Sequence, residues 1–122
     1  MWLGADVGGT NLVAALLNSA GQVLETISFP TDPSPRAAIA RLAREARALA
    51  ARRRIRLDGA GLAVPGDIDH EAGRVRVSPN LPRWNGAPVG RWLRQSLRVP
   101  VTVENDATAA AWGAFRTEVV VR

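Results

Sequence analysis

Residues 2–6 form a short, mostly apolar run that ends on the carboxylate of Asp6, and Gly8-Gly9-Thr10 separates it from a second apolar run at residues 12–17. Two strands joined by a tight glycine turn fit this pattern. Asn18-Ser19-Ala20-Gly21 is another turn sequence, after which Val23, Glu25 and Ile27 alternate with other residue types across residues 22–29, as a third strand does. The chain is therefore expected to open as an antiparallel meander. Pro30, Pro33 and Pro35 punctuate a loop, with Asp32 or Ser34 available to cap a helix that starts near Arg36. Ile39, Leu42, Ala43, Ala46, Leu49 and Ala50 recur at helical spacing on one face, opposite Arg41, Arg44, Glu45 and Ala48, and this helix is expected to fade near Ala51.

Residues 59–64 are short, apolar and bounded by Asp58 and Pro65, which predicts a buried strand. A turn over residues 67–73, a short strand at Val75 and Val77, and a Pro- and Asn-rich loop at residues 78–86 come next. Val89, Trp92, Leu93 and Leu97 give residues 88–97 a helical period. Residues 99–104 read as a last strand, with Pro100 at its start, where a missing N–H is tolerated. Asp106 then opens a stretch of strong helix formers, residues 107–114. The order implies an α/β fold: a mixed five-stranded sheet, antiparallel first and parallel later, with helices packed on it. No repeat or linker interrupts it, and 122 residues suffice for one domain.

Composition narrows the chemistry. There is no Cys, Lys or Tyr, and His70 is the single histidine. Disulfides, thiol nucleophiles, Schiff bases, a lysine-dependent phosphate loop and a His-rich metal site are therefore excluded from this chain. Carboxylates, hydroxyls, amides and arginine remain, which suits Asp-based acid/base chemistry. The lack of Cys agrees with a cytoplasmic setting. No Arg precedes Arg36, so the apolar run at residues 12–17 lacks the basic flank of a signal peptide, and it is too short to span a membrane.

The net charge of +5 raises the question of nucleic acid. Eight of the sixteen arginines fall within residues 36–56, on and just after the first helix, with no aromatic residue among them. A solvated helix face is the reading preferred over a nucleic-acid surface, and neither a nucleic acid nor a membrane is expected as a partner.

Two segments carry candidate chemistry. In Asp6-Val7-Gly8-Gly9-Thr10-Asn11, adjacent glycines expose backbone N–H groups and admit a phosphate closely, while Asp6 could hold magnesium directly or through water. A plain hairpin is the alternative. In Glu104-Asn105-Asp106-Ala107, Asn105 could hold a hydroxyl while Asp106 accepts its proton, and a simple helix N-cap is the alternative. Asp67 and Asp69 are read as fixing a turn rather than as a metal pair, and His70 as an exposed turn residue.

Together with Ala63-Val64-Pro65-Gly66-Asp67-Ile68-Asp69 and Ser78-Pro79-Asn80-Leu81-Pro82-Arg83-Trp84, these segments occur in the order and approximate spacing of the ROK family, and the resemblance runs along nearly the whole chain. That family comprises bacterial glucokinases, fructokinases and related sugar kinases and repressors on an actin-like, ribonuclease-H-like ATPase fold. The resemblance implies an ATP-dependent hexose kinase. Asp6, Gly8, Gly9, Thr10 and Asn11 would form the first phosphate motif, with Asp6 near magnesium. Asp106 would be the general base, and Gly66, Asn80, Asn105 and Asp106 would bind the sugar.

The chain also departs from that pattern. Trp112-Gly113-Ala114-Phe115 stands where members usually carry a Glu, and residues 117–122 do not resemble the next segment of those members. The second phosphate motif, the adenosine-binding segment, the zinc motif and a further sugar-binding Glu would lie beyond this chain. Residues 1–122 therefore resemble the N-terminal lobe alone, with the C-terminal lobe absent from this chain and zinc expected only there. Such a lobe by itself is expected to have little or no activity. Full-length relatives suggest a homo-oligomer. The alternatives are a sugar-responsive transcriptional regulator of the same family, disfavoured because only five residues precede Asp6, and a non-catalytic sugar-binding remnant.

Overall fold

The computed structural model describes residues 1–105. The meander forms as the sequence predicts: β1 (Trp2–Val7), β2 (Asn11–Leu17) and β3 (Val23–Pro30) are antiparallel neighbours. Helix α1 (Pro35–Arg53) comes next, then β4 (Gly59–Ala63), a hairpin of β5 (Asp67–Asp69) and β6 (Arg74–Val77), a 3-10 turn (Pro82–Trp84), helix α2 (Val89–Leu97) and β7 (Val101–Glu104). The five-stranded sheet has the order β3-β2-β1-β4-β7, with β4 parallel to both β1 and β7. A mixed sheet of this order matches the expected fold class.

Alternation sorts the sheet's faces. Leu3, Ala5 and Val7 of β1 share a core with Leu12, Ala14, Ala60, Leu62, Val64 and Val103, and α1 adds Ile39, Leu42, Ala43 and Ala46 to it. Asp6 falls on the other side of β1 and is exposed.

Ser34 is the N-cap of α1, its hydroxyl accepting from Ala37 N at 3.3 Å, and Pro35 opens the helix with its φ already fixed. Asp32 has a separate task, accepting from Ser34 N at 2.9 Å in the preceding turn. The helix runs two residues past Ala51 because Arg52 and Arg53 are good helix formers and their charge suits the helix's negative end. Five of the eight arginines within residues 36–56 make interactions within the fold. Arg36 lies over Trp92 and Arg41 over Phe29, 5.1 and 4.5 Å from the ring centroids. Arg47 donates to Ser96 O, while Arg52 and Arg53 both pair with Glu25 of β3.

Two local readings need correction. Residues 67–69 form a strand, although their composition predicts a turn, because Ile68 is buried and the three residues pair with β6 in register Asp67↔Val77, Ile68↔Val75 and Asp69↔Arg74. The loop at residues 78–86 holds a 3-10 turn that seats Trp84 in the core with no exposure.

Candidate functional site

Parallel pairing aligns the ends of three strands. Asp6 pairs with Ala63, and Ala63 pairs with Glu104, so one row crosses β1, β4 and β7 at their C-terminal ends. Adjacent strands lie about 4.8 Å apart, so the row spans roughly 10 Å, the scale of a small ligand. The segments after this row are those that the sequence singles out: Gly8 to Asn11, Gly66, and Asn105. In parallel α/β sheets, ligands bind outside the carboxyl ends of the strands.

The turn between β1 and β2 is tightly built. Gly8 N donates to Asn11 O at 2.9 Å, and a Cβ at Gly8 would meet that oxygen at 2.7 Å, so only glycine fits. Thr31, just after β3, pins the turn from the side: its hydroxyl donates to Gly8 O at 2.7 Å and its N–H to Thr10 O at 2.9 Å. The sequence does not mark Thr31, because a contact across 23 residues leaves no local pattern. Gly9, Thr10 and Asn11 are exposed, as is Asp6.

Gly66 belongs to the turn after β4, and Asn80 approaches Gly9. Gly66 has φ +113°, and a Cβ there would lie 2.1 Å from Val77 O, so Gly66 fits the residue before β5 closely against the end of β6. Asn80 is exposed, and its Cβ would lie 3.9 Å from a Cβ built on Gly9. The loop carrying Asn80 is shaped by a different asparagine: Asn85 Oδ1 accepts from the buried Ser78 N at 2.8 Å. The hydroxyl of Ser78 and the indole N–H of Trp84 are buried without a hydrogen-bond partner among the described residues.

On the far side of the row, His70 Nδ1 lies 3.0 Å from both Val103 O and Glu104 Oε2. Both neighbours are acceptors, so this nitrogen carries the proton, and the exposed His70 ties the hairpin to the strand that leads into Asn105. Asp69 has the expected turn-fixing role, accepting from Ala72 N at 3.2 Å, and both it and Asp67 face Arg76, at 3.9 and 4.0 Å. No group of three metal-ligating side chains converges among the described residues. Asp106 and the helix predicted after it lie outside the described residues.

At the opposite end of the sheet is an open groove of about 700 Å³ whose lining includes Arg47, Ile55, Arg56, Leu97, Arg98 and Val99. It lies at the C-terminal ends of both helices, where arginine complements the helix dipoles.

The five-stranded mixed sheet with its helices and glycine turn is an actin-like α/β fold, shared with solved ROK sugar kinases. The profile of the ROK family matches residues 2–119, and the chain belongs to that family. It is 32% identical over 114 residues to a glucokinase of Streptomyces coelicolor, covering 93% of this chain and 35% of that protein. A shorter match, 40% identical over 55 residues, joins 45% of the chain to 14% of a xylose repressor of Caldicellulosiruptor bescii. Among solved structures, a ROK glucokinase from Streptomyces griseus in complex with glucose and AMPPNP superposes with a TM-score of 0.76 at 31% identity, covering 93% of this chain and 36% of that one. The chain thus spans about a third of the length of the glucokinases it matches.

Proposed function

We propose that this chain is the nucleotide- and sugar-facing wall of an ATP-dependent hexose kinase of the glucokinase type, working in the cytoplasm. The observation that carries the reading is the Asp6–Ala63–Glu104 row, which gathers the glycine turn, Gly66 and Asn105 at one sheet end, with Asn80 beside Gly9. The glucose and AMPPNP of the Streptomyces griseus glucokinase support sugar and nucleotide as the ligands.

In this reading the N–H groups of the turn cradle the ATP phosphates, and Asn105 holds the reacting hydroxyl. Asp106 takes the proton as that hydroxyl oxygen bonds to the terminal phosphorus and the bond to the ADP oxygen breaks. Gly66 and Asn80 shape the sugar side. Magnesium fits the donor set: Asp6 is an exposed carboxylate with no partner among the described residues, and one carboxylate plus phosphate oxygens is how this hard cation is commonly held. When bound, the cation neutralises phosphate charge. Positioning and charge neutralisation supply most of the rate, and the base adds about 10²–10⁴-fold.

The test is a coupled phosphorylation assay on the intact protein carrying this chain. Asp106→Asn is expected to lower kcat by about 10²–10⁴-fold, with sugar affinity much less affected. A rate within a few-fold of the wild type would remove Asp106 from the role of base. The match to a xylose repressor keeps a second reading, a sugar-responsive regulator, which would bind sugar and transfer no phosphate in the same assay.

A further inference from the structure

We propose that Thr31 is the positioning residue of the glycine turn: it ties up carbonyl oxygens that would repel a phosphate and so leaves the turn presenting hydrogen-bond donors. This role rests on the phosphate-binding reading of that turn.

A peptide turn offers N–H donors and C=O acceptors in equal number, and only the donors attract an anion. Here the acceptors are mostly consumed. Thr31 occupies two of them, Gly8 O through its hydroxyl and Thr10 O through its N–H, while Asn11 O is taken by Gly8 N. Among the described residues, nothing accepts from the N–H of Gly9, the N–H of Thr10 or the Thr10 hydroxyl, and both residues are exposed.

Three of the four carbonyls at residues 8–11 are thus satisfied inside the protein, while adjacent donors face outward. A hairpin needing only to reverse the chain has no use for this asymmetry; an anion site does. Thr31 itself is half-buried and anchored by the β2–β3 ladder, where Asn11 pairs with Pro30, so the residue that orients the turn is held by the sheet. The hydroxyl is the informative group. Valine has the same shape but would leave Gly8 O without its donor, free to turn toward the ligand, whereas serine keeps the bond.

The test uses the intact protein, with magnesium AMPPNP and magnesium tripolyphosphate as probes, read by calorimetry. Thr31→Val is expected to weaken both probes about tenfold or more, Thr31→Ser by less than about threefold, and neither variant should change glucose affinity. Thr31→Val binding as tightly as the wild type, with only its melting temperature lowered, would make Thr31 a hairpin pin and overturn the inference. A wild type that binds neither probe would overturn the phosphate reading itself, and the inference with it.

A measurement on the unmodified protein covers the case in which Thr31→Val does not fold. Amide hydrogen exchange should slow about tenfold or more at Gly9 and Thr10 when magnesium tripolyphosphate is added, with Gly8 little changed because its N–H is already bonded. Equal slowing at all three positions, or none, would overturn the proposal.

Discussion

Gly66 is the residue whose identity the backbone dictates most strictly. Its φ of +113° lies where side chains are strained, and a Cβ would meet Val77 O at 2.1 Å, main chain against main chain, with no flexible atom to give way. Gly66→Ala is expected to destabilise the fold by about 3 kcal/mol or more, summing backbone strain and overpacking, as read from the midpoint of denaturant unfolding. A loss below about 1 kcal/mol would mean that the start of β5 and the end of β6 separate easily here. Resemblance alone marks Gly66 as lining a sugar loop; the structure adds a steric reason that stands whether or not a sugar binds. At the same scale the sequence was silent on Thr31, which acts on main-chain atoms 23 residues away, and on Asn85, whose side chain meets Ser78 N only once their loop has closed.

Helices α1 and α2 end in the same unusual way. Arg54 and Arg98 are their C-caps and lie in the left-handed region, at φ 53° and 57°, where glycine is the customary residue. Each costs on the order of 1 kcal/mol in the folded chain, partly balanced by the greater freedom that glycine would have in the unfolded one. Arg98→Gly and Arg54→Gly are therefore expected to stabilise the protein by a few tenths to about 1 kcal/mol each, measured by thermal unfolding. A loss of stability would show that the arginine stems contribute more by packing than the backbone loses by strain. The same elements show how far local pattern carries. The period of α1 and its Ser34 and Pro35 start were legible because they are properties of consecutive residues. The β5 strand was not, since Asp67 and Asp69 have turn composition and only their pairing with β6 and the burial of Ile68 make them a strand.

For the molecule as a whole, acid is the informative stress. Net charge is already +5 at neutral pH, and each carboxylate protonated adds to the self-repulsion. Glu25 is held below its ordinary value of 4.5 chiefly by its hydrogen bond to Arg53, with Arg52 adding its charge. A lowered value means that this pairing stabilises the fold above the unfolded chain's value and is lost as pH falls through the folded one. Melting curves of wild type and Glu25→Gln should therefore differ most at neutral pH and converge as acid carries Glu25 below its lowered folded value, and added salt should narrow the gap. Curves that stay parallel into acid would show that β3 and α1 are held together without the pair. At this scale the mixed sheet, antiparallel first and parallel later, was legible, because a meander followed by parallel crossovers admits few sheets. The unpaired donors of the turn were not, because a sequence shows which groups exist and not which are already taken. The row Asp6–Ala63–Glu104 is drawn by main-chain pairing alone, so it works as a ruler indifferent to the letters written on it. Substitutions along β1, β4 and β7 can accumulate without moving its marks, whereas inserting or deleting one residue in β1 or β7 would turn Asp6 or Glu104 to the opposite face, and in β4 would take Ala63 out of the row. The sheet's evolutionary freedom therefore lies in what its strands are made of, and its constraint in how long they are.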